Sequence, residues 1–190
     1  MPEAPVLAES PDNRAARGCL HNAHFGRAIA LRKMGRDGEA AEDWKRLLEL
    51  SAGQADINMR LYRPSPLAHL GEHVQAAAEM ETLLTEGKVQ PVNLYDFGYA
   101  YARCSAAAVN DARLPPAERE PLAERYGRRS VELLRQAQAA GYFRDPARLA
   151  RMNENKDFDP VRGREDFKGL VAELEAKQKE SRVKKPQAEK

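Results

Sequence analysis

The chain has little of what marks a secreted, membrane-spanning or nucleic-acid-binding protein. Only two of its 190 residues are cysteines, so a disulfide scaffold is not expected and a reducing, cytoplasmic location is the default. Cys19 and Cys104 are predicted to be small buried apolar residues. No apolar run approaches the roughly 18 residues of a membrane-spanning helix, and residues 1–11 do not resemble a signal peptide. The net charge is only +2, so we expect neither a membrane nor a nucleic-acid partner.

Aromatic residues are also scarce, at 6% of the chain, and the single tryptophan falls within a repeated pattern. A stretch that begins at Met34 recurs thirty-six residues later, and its matched pairs are Gly35/Gly71, Ala40/Ala76, Trp44/Met80 and Leu47/Leu83. A period of roughly 34 residues with a glycine turn, a small alanine and a bulky apolar residue is typical of tetratricopeptide helix-turn-helix repeats. The predicted fold class is therefore all-α, with about three stacked helix pairs and a C-terminal capping helix.

The spacing of apolar residues places the repeat domain at residues 14–178. Residues 1–13 are predicted to be a disordered N-terminus, and residues 179–190 a disordered charged tail. Pro64 and Pro66 predict a break in the first helix of the second pair, because proline removes a donor and clashes with the preceding turn. Residues 110–121 contain three prolines and are expected to project as an insertion that does not support the core.

Several longer motifs occur in a fixed order along the chain. They are Asn22-Ala23-His24-Phe25-Gly26-Arg27-Ala28, Leu94-Tyr95-Asp96-Phe97, Val131-Glu132-Leu133-Leu134-Arg135-Gln136-Ala137, Ala140-Gly141-Tyr142-Phe143-Arg144-Asp145-Pro146 and Phe158-Asp159-Pro160-Val161-Arg162. Over about residues 14–175 the chain resembles the tetratricopeptide regions that follow the catalytic domain in many bacterial serine/threonine kinases. The resemblance implies a protein-interaction and regulatory segment in bacterial signalling. The sequence departs from that family at Pro64, Pro66 and Pro121, where the family carries helix formers.

Two short motifs match enzyme signatures but lack the partners that the chemistry needs. Asp96-Phe97-Gly98 spells the metal-binding tripeptide of protein kinases, yet no glycine-rich loop, strand lysine or catalytic loop precedes it. His69 and His73 match a zinc-peptidase signature, which requires both histidines on one face of a continuous helix. Gly71 is expected to turn the chain between them, which predicts surface histidines. We expect no catalytic residue, no metal and no cofactor; a metal-dependent enzyme using His69 and His73 is the disfavoured alternative.

The main hypothesis is a non-catalytic helical-repeat scaffold that binds a protein or peptide partner. Stacked helix pairs leave a concave face lined by the first helix of each pair, and aromatic and arginine side chains dominate binding energy at such surfaces. For Phe25 and Tyr95, packing in the core is an equally weighted alternative. A second hypothesis is a regulatory segment or fragment of a serine/threonine kinase whose catalytic domain is absent from this chain. The predicted partner-binding residues are Phe25, Ile29, Arg32, Tyr95, Tyr99 and Arg103.

Overall fold

Helices account for the regular structure of the chain in a computed structural model, which describes residues 14–53 and 56–183. No β-strand occurs in these two ranges, so the predicted all-α class is confirmed. None of their helices has an apolar stretch long enough to cross a bilayer. The helices are α1 (Arg14–Lys33), α2 (Asp37–Ser51), α3 (Ile57–Tyr62), α4 (Pro64–His69), α5 (His73–Thr85), α6 (Pro91–Asn110), α7 (Pro116–Ala139), α8 (Pro146–Glu154), α9 (Asp159–Arg162) and α10 (Glu165–Val183).

The two glycine turns of the repeated stretch have the same geometry. Gly35 has a φ of 72° and Gly71 a φ of 82°, which is the left-handed region that glycine adopts without strain. In each turn the amide after the glycine donates a 2.9 Å hydrogen bond to a carbonyl five residues earlier, at Leu31 and at Leu67. This arrangement ends a helix and reverses the chain. Both glycines therefore lie in turns between helices, as predicted.

Matched positions of the repeated stretch are also buried in the same way. Trp44 is 2% exposed and Met80 is fully buried, so the bulky position of each stretch points inward as predicted. Within α1 and α2 the buried apolar side chains form a small cluster of their own: Ala28, Leu31, Ala40, Trp44 and Leu47. The equivalent residues of α5 belong instead to a larger cluster that continues through α6, α7 and the C-terminal helices.

The first helix of the second pair is divided at proline, as predicted. α3 ends at Tyr62 and α4 begins at Pro64. At the first position of a helix the missing proline N–H has no intrahelical partner to lose. Arg63 lies at the junction and donates two 3.0 Å hydrogen bonds to Glu79 of α5, which fixes the break against the second helix of the pair.

The third pair, α6 and α7, makes its closest approach at Gly98. A Cβ atom added there would lie 2.9 Å from Cδ2 of Leu134, and Ser130 Oγ donates a 2.7 Å hydrogen bond to the Gly98 carbonyl. Farther along, Ser105 Oγ donates to the Ala123 carbonyl at 2.9 Å. The small residues of α6 therefore serve close helix packing, and the Asp96-Phe97-Gly98 tripeptide is part of a continuous helix.

The insertion predicted at residues 110–121 is wrong. α6 and α7 reach into this stretch from both sides and leave only a short loop, and Pro121 lies inside α7. In the loop, Asp111 Oδ2 lies 2.9 Å from Nε2 of the buried His73. Arg113 donates a 3.2 Å hydrogen bond to the carboxylate of Glu72, the residue before α5. The loop therefore braces the start of α5 and is part of the packed structure.

The segment after α7 folds back onto α6. Gly141, with a φ of 83°, follows the end of α7 and turns the chain back towards α6. A 3₁₀ turn at Tyr142–Arg144 and another at Lys156–Phe158 flank α8. The ring of Tyr142 stacks on Tyr95 of α6 with 4.8 Å between ring centroids, and Phe158 meets Tyr95 edge to face at 5.7 Å. These contacts cover much of the α6 surface.

The final helix, α10, packs against α7 and closes the core there. Phe167, Leu170 and Leu174 are buried, and Arg135 of α7 donates 3.1 Å hydrogen bonds to Glu173. Because α10 continues to Val183, the charged tail predicted from residue 179 begins as helix. The rest of that tail and the predicted disordered N-terminus, residues 1–13, lie outside the described residues.

Candidate binding cleft

A small cleft opens where α1, the α3–α4 segment and α6 meet. Its volume is about 170 Å³. These helices are the first members of the three pairs, so the cleft lies on the face that repeat architecture predicts for a partner. The lining residues that matter most are His21 and Phe25 of α1, Tyr62 and Ser65 of α3–α4, and Asp96 and Tyr99 of α6.

Aromatic rings form one wall of this cleft. The imidazole of His21 stacks on Tyr62, with 4.1 Å between ring centroids, and lies 6.1 Å from the ring of Phe25. Phe25 in turn meets Trp44 edge to face at 5.5 Å, which joins the wall to the core of α1 and α2. Burial lowers the pKa of His21, so its imidazole is neutral at pH 7.

Three polar side chains line the cleft: His21, Ser65 and Asp96. Within the described residues the ring nitrogens of His21 and the hydroxyl of Ser65 make no hydrogen bond of good geometry, although Asn22 lies beside the first and Tyr99 beside the second. Asp96 is partly buried and has no ion pair in the same part of the chain. Removal from water raises the pKa of Asp96 to about 7, while the positive charge of Arg151 acts in the opposite direction. Unsatisfied buried polar groups are few in folded proteins. The cleft therefore combines polar side chains that have few partners in the described structure with several aromatic rings.

A second polar cluster lies elsewhere on α1 and α6. Arg32 Nη1 donates a 2.5 Å hydrogen bond to Oδ1 of Asp157, and Arg103 Nε lies 3.8 Å from the same oxygen. The other carboxylate oxygen is 3.5 Å from Nε2 of His69. Asp157 is only 3% exposed. The two arginines predicted to meet a partner are therefore directed at a carboxylate of the chain itself.

The six residues predicted to bind a partner thus have different surroundings. The structure brings Phe25 and Tyr99 together in the cleft. Ile29 is partly buried beside the α1–α2 cluster. Tyr95 is 3% exposed and stacks against Tyr142, so it packs in the core, which was the alternative to partner binding. Arg32 and Arg103 belong to the Asp157 cluster instead.

Sequence reasoning missed the polar members of the cleft, although helix spacing held a signal for two of them. His21 precedes Phe25 by four residues, and Asp96 precedes Tyr99 by three. Such spacings place side chains on the same face of a helix. Ser65 offered no comparable signal, because its position depends on how the short α4 is oriented.

The histidines at the Gly71 turn are not surface residues, contrary to prediction. The His69 side chain is 1% exposed and stacks on Trp44 at 4.2 Å. His73 is fully buried near Asp111. The two imidazoles contact different parts of the fold, and the described ranges contain no group of three or more potential metal-binding side chains.

The two cysteines also differ from each other. Cys104 is buried in α6 as predicted, and burial raises the pKa of its thiol to about 12. Cys19 is exposed on α1, so its predicted burial is wrong.

Comparison with known proteins gives no match for the chain. No family model matches it. Neither the curated proteins nor the solved structures give a match. The function is therefore argued from the cleft.

Proposed function

We propose that the chain is a tetratricopeptide-like scaffold that binds an extended segment of a partner protein in the cleft between α1, α3–α4 and α6. The equivalent turns at Gly35 and Gly71, with equivalent buried positions after them, support the repeat assignment. Stacked helix pairs present the first helix of each pair on one continuous face. The cleft lies on that face.

The observation that carries this proposal is the cluster of unsatisfied polar groups beside aromatic side chains. Each buried polar group without a partner costs about 1–3 kcal/mol. His21 and Ser65 lie in this small cleft without a hydrogen bond of good geometry, and Asp96, which is partly buried, has no ion pair within the described residues. A bound segment would supply those partners, and the rings of Tyr62 and Phe25 offer apolar contact area.

A binding role fits the cleft better than a catalytic one. Nucleophilic catalysis requires a hydroxyl or thiol within hydrogen-bond reach of a base. Ser65 has no hydrogen bond to His21, and its neighbour Tyr99 stays protonated because burial raises the pKa of that phenol well above its usual range. The kinase-associated role and its bacterial signalling context stay predictions from the resemblance. In that role the cleft would receive a segment of a signalling protein.

A displayed library of random peptides, selected against the intact chain, tests the proposal. Selected peptides are expected to bind Tyr62→Ala at least about tenfold more weakly than wild type, because an aromatic side chain at the centre of an interface often contributes more than 1 kcal/mol. Tyr62 is 39% exposed, so this change leaves the core intact. Val74→Ala removes a 59% exposed apolar side chain from α5, outside the cleft, and is the matched control.

Two outcomes would contradict the proposal. One is that the selection yields no specific peptides. The other is that the selected peptides bind wild type and Tyr62→Ala equally, which would place their site elsewhere on the chain.

A further inference from the structure

We propose that the cleft recognises a primary ammonium group, supplied by a lysine side chain of the bound segment. This inference rests on the proposed function and names the chemistry that the cleft selects. It is carried by the charge of the cleft, its aromatic lining and the number of its acceptors.

The cleft is negatively charged whenever Asp96 is ionised. Among the described residues, the side chains that line it include no lysine or arginine, and the one histidine, His21, is neutral at pH 7. No ion pair holds Asp96 within the described residues, and Arg151 influences it only at a distance. An ionised carboxylate removed from water and left unpaired is costly. A cation entering the cleft would relieve that cost, whereas an anion would increase it.

The aromatic lining favours the same kind of ligand. Faces of aromatic rings attract cations within about 6 Å of the ring centre. Rings of Phe25, Tyr62 and Tyr99 line the cleft with Asp96, and His21 stacks on Tyr62. A carboxylate combined with several rings is well suited to a desolvated ammonium group. An uncharged polar ligand would use only part of this surface.

The acceptors of the cleft match lysine better than arginine. A lysine ammonium carries three donors and no acceptor. Three acceptors line the cleft: the Asp96 carboxylate, the unprotonated nitrogen of His21, which lies beside Asn22, and the Ser65 hydroxyl, which lies beside Tyr99. Arginine presents a planar fork of five donors that suits two-point contact with a carboxylate. At about 170 Å³ the cleft is also smaller than the roughly 300–1,000 Å³ of sites for drug-sized molecules, so it suits a single side chain.

Titration of the isotope-labelled intact chain at pH 8, followed by amide chemical shifts, tests the inference. The probes are Nα-acetyl-lysine amide, its Nε-acetylated form and Nα-acetyl-arginine amide. The lysine probe is expected to shift amides of α1, α3–α4 and α6 around the cleft in a saturable way. Both other probes are expected to bind at least about tenfold more weakly, because one loses the charge and the other fits the acceptors poorly.

Asp96→Asn is the decisive variant, and Glu120→Gln is its control. The first removes the carboxylate from the cleft, and the second removes one carboxylate from the exposed surface of α7. Asp96→Asn is expected to weaken binding of the lysine probe at least about tenfold, whereas the control is expected to bind as wild type. Circular dichroism of each variant shows that it is folded.

Several outcomes would overturn the inference: no saturable shifts with the lysine probe, equal binding of either comparison probe, or unchanged binding by Asp96→Asn. Its failure can be told apart from failure of the scaffold proposal. Selected peptides that depend on Tyr62 but not on Asp96 would support the scaffold and refute the lysine preference. Binding of the lysine probe without any selected peptide would support the cation site and refute the scaffold.

Discussion

Replacing Asp96 with asparagine is expected to stabilise the folded chain at pH 8 and to leave its stability unchanged near pH 4. The pKa of Asp96 is raised from 3.8 to about 7 by loss of water. Between these two values the folded chain binds more protons at this group than the unfolded chain does. Its stability therefore falls as the pH rises from about 4 to 7. Asparagine carries no charge and removes this pH-dependent cost.

The size of the effect follows from the difference in pKa. A difference of about three units corresponds to about 4 kcal/mol. Asp96 is only partly buried, so solvent screening reduces that figure, and a gain of about 2–4 kcal/mol is expected at pH 8. Near pH 4 the side chain of Asp96 in the folded wild type is a neutral carboxylic acid. It lacks a partner, as the amide of asparagine would at the same position. The gain should then disappear.

Neighbouring groups do not reverse the sign of this prediction. Burial lowers the pKa of His21, so its imidazole is neutral at pH 8, and any charge that it gains at lower pH is gained in both proteins. Tyr99 and Tyr142 have raised pKa values and stay protonated at pH 8. The guanidinium of Arg151 favours the ionised carboxylate, an effect already contained in the pKa of about 7 for Asp96.

Urea denaturation of wild type, Asp96→Asn and Glu120→Gln at pH 4, 6 and 8 provides the measurement. Equal slopes of the unfolding free energy against urea would show that the three chains expose similar surface. The gain of Asp96→Asn over wild type should grow with pH, while the control should track wild type. A gain absent at pH 8, or equally large at pH 4 and pH 8, would refute the reasoning that Asp96 is desolvated and unpaired.

Three further changes test the packing described above. Trp44→Ala should lower the unfolding free energy by about 3–5 kcal/mol, because it leaves a large cavity in the α1–α2 cluster; an unchanged urea midpoint would contradict this. Asp111→Ala should lower the melting temperature more than Asp111→Asn does, because the buried His73 loses its partner; calorimetry of both variants decides. Asp157→Ala should cost about 1–3 kcal/mol in urea, since it leaves two partly exposed arginines without their carboxylate; wild-type stability would show that the cluster contributes nothing.

Features that depend on neighbouring residues could be predicted from the sequence. The turns at Gly35 and Gly71 need a residue that tolerates positive φ, and the burial of Trp44 follows from helical spacing after the turn. These signals lie within a few residues of the feature they predict. The all-α class and the break before Pro64 were accessible for the same reason.

Features that depend on contacts between distant segments could not be predicted. The bond from Arg32 to Asp157 joins residues 125 positions apart, and no local pattern marks either one. The insertion predicted at residues 110–121 is wrong because two of its three prolines belong to a helix. Pro116 instead occupies the first position of α7, where proline is favoured. The burial of Asp96 likewise depends on three helix pairs packing together.

The separate core of α1 and α2 has a consequence for how the chain opens. Its five-residue cluster is not continuous with the larger one, and the Trp44–His69 stack and the Arg32–Asp157 bond are among the contacts that tie it to the rest. We expect this pair to open locally at a lower free energy than the remainder, with faster amide hydrogen exchange. Because α1 supplies His21 and Phe25, each opening would dismantle one wall of the cleft. A ligand held there would slow exchange throughout α1 and α2, including at amides it never touches.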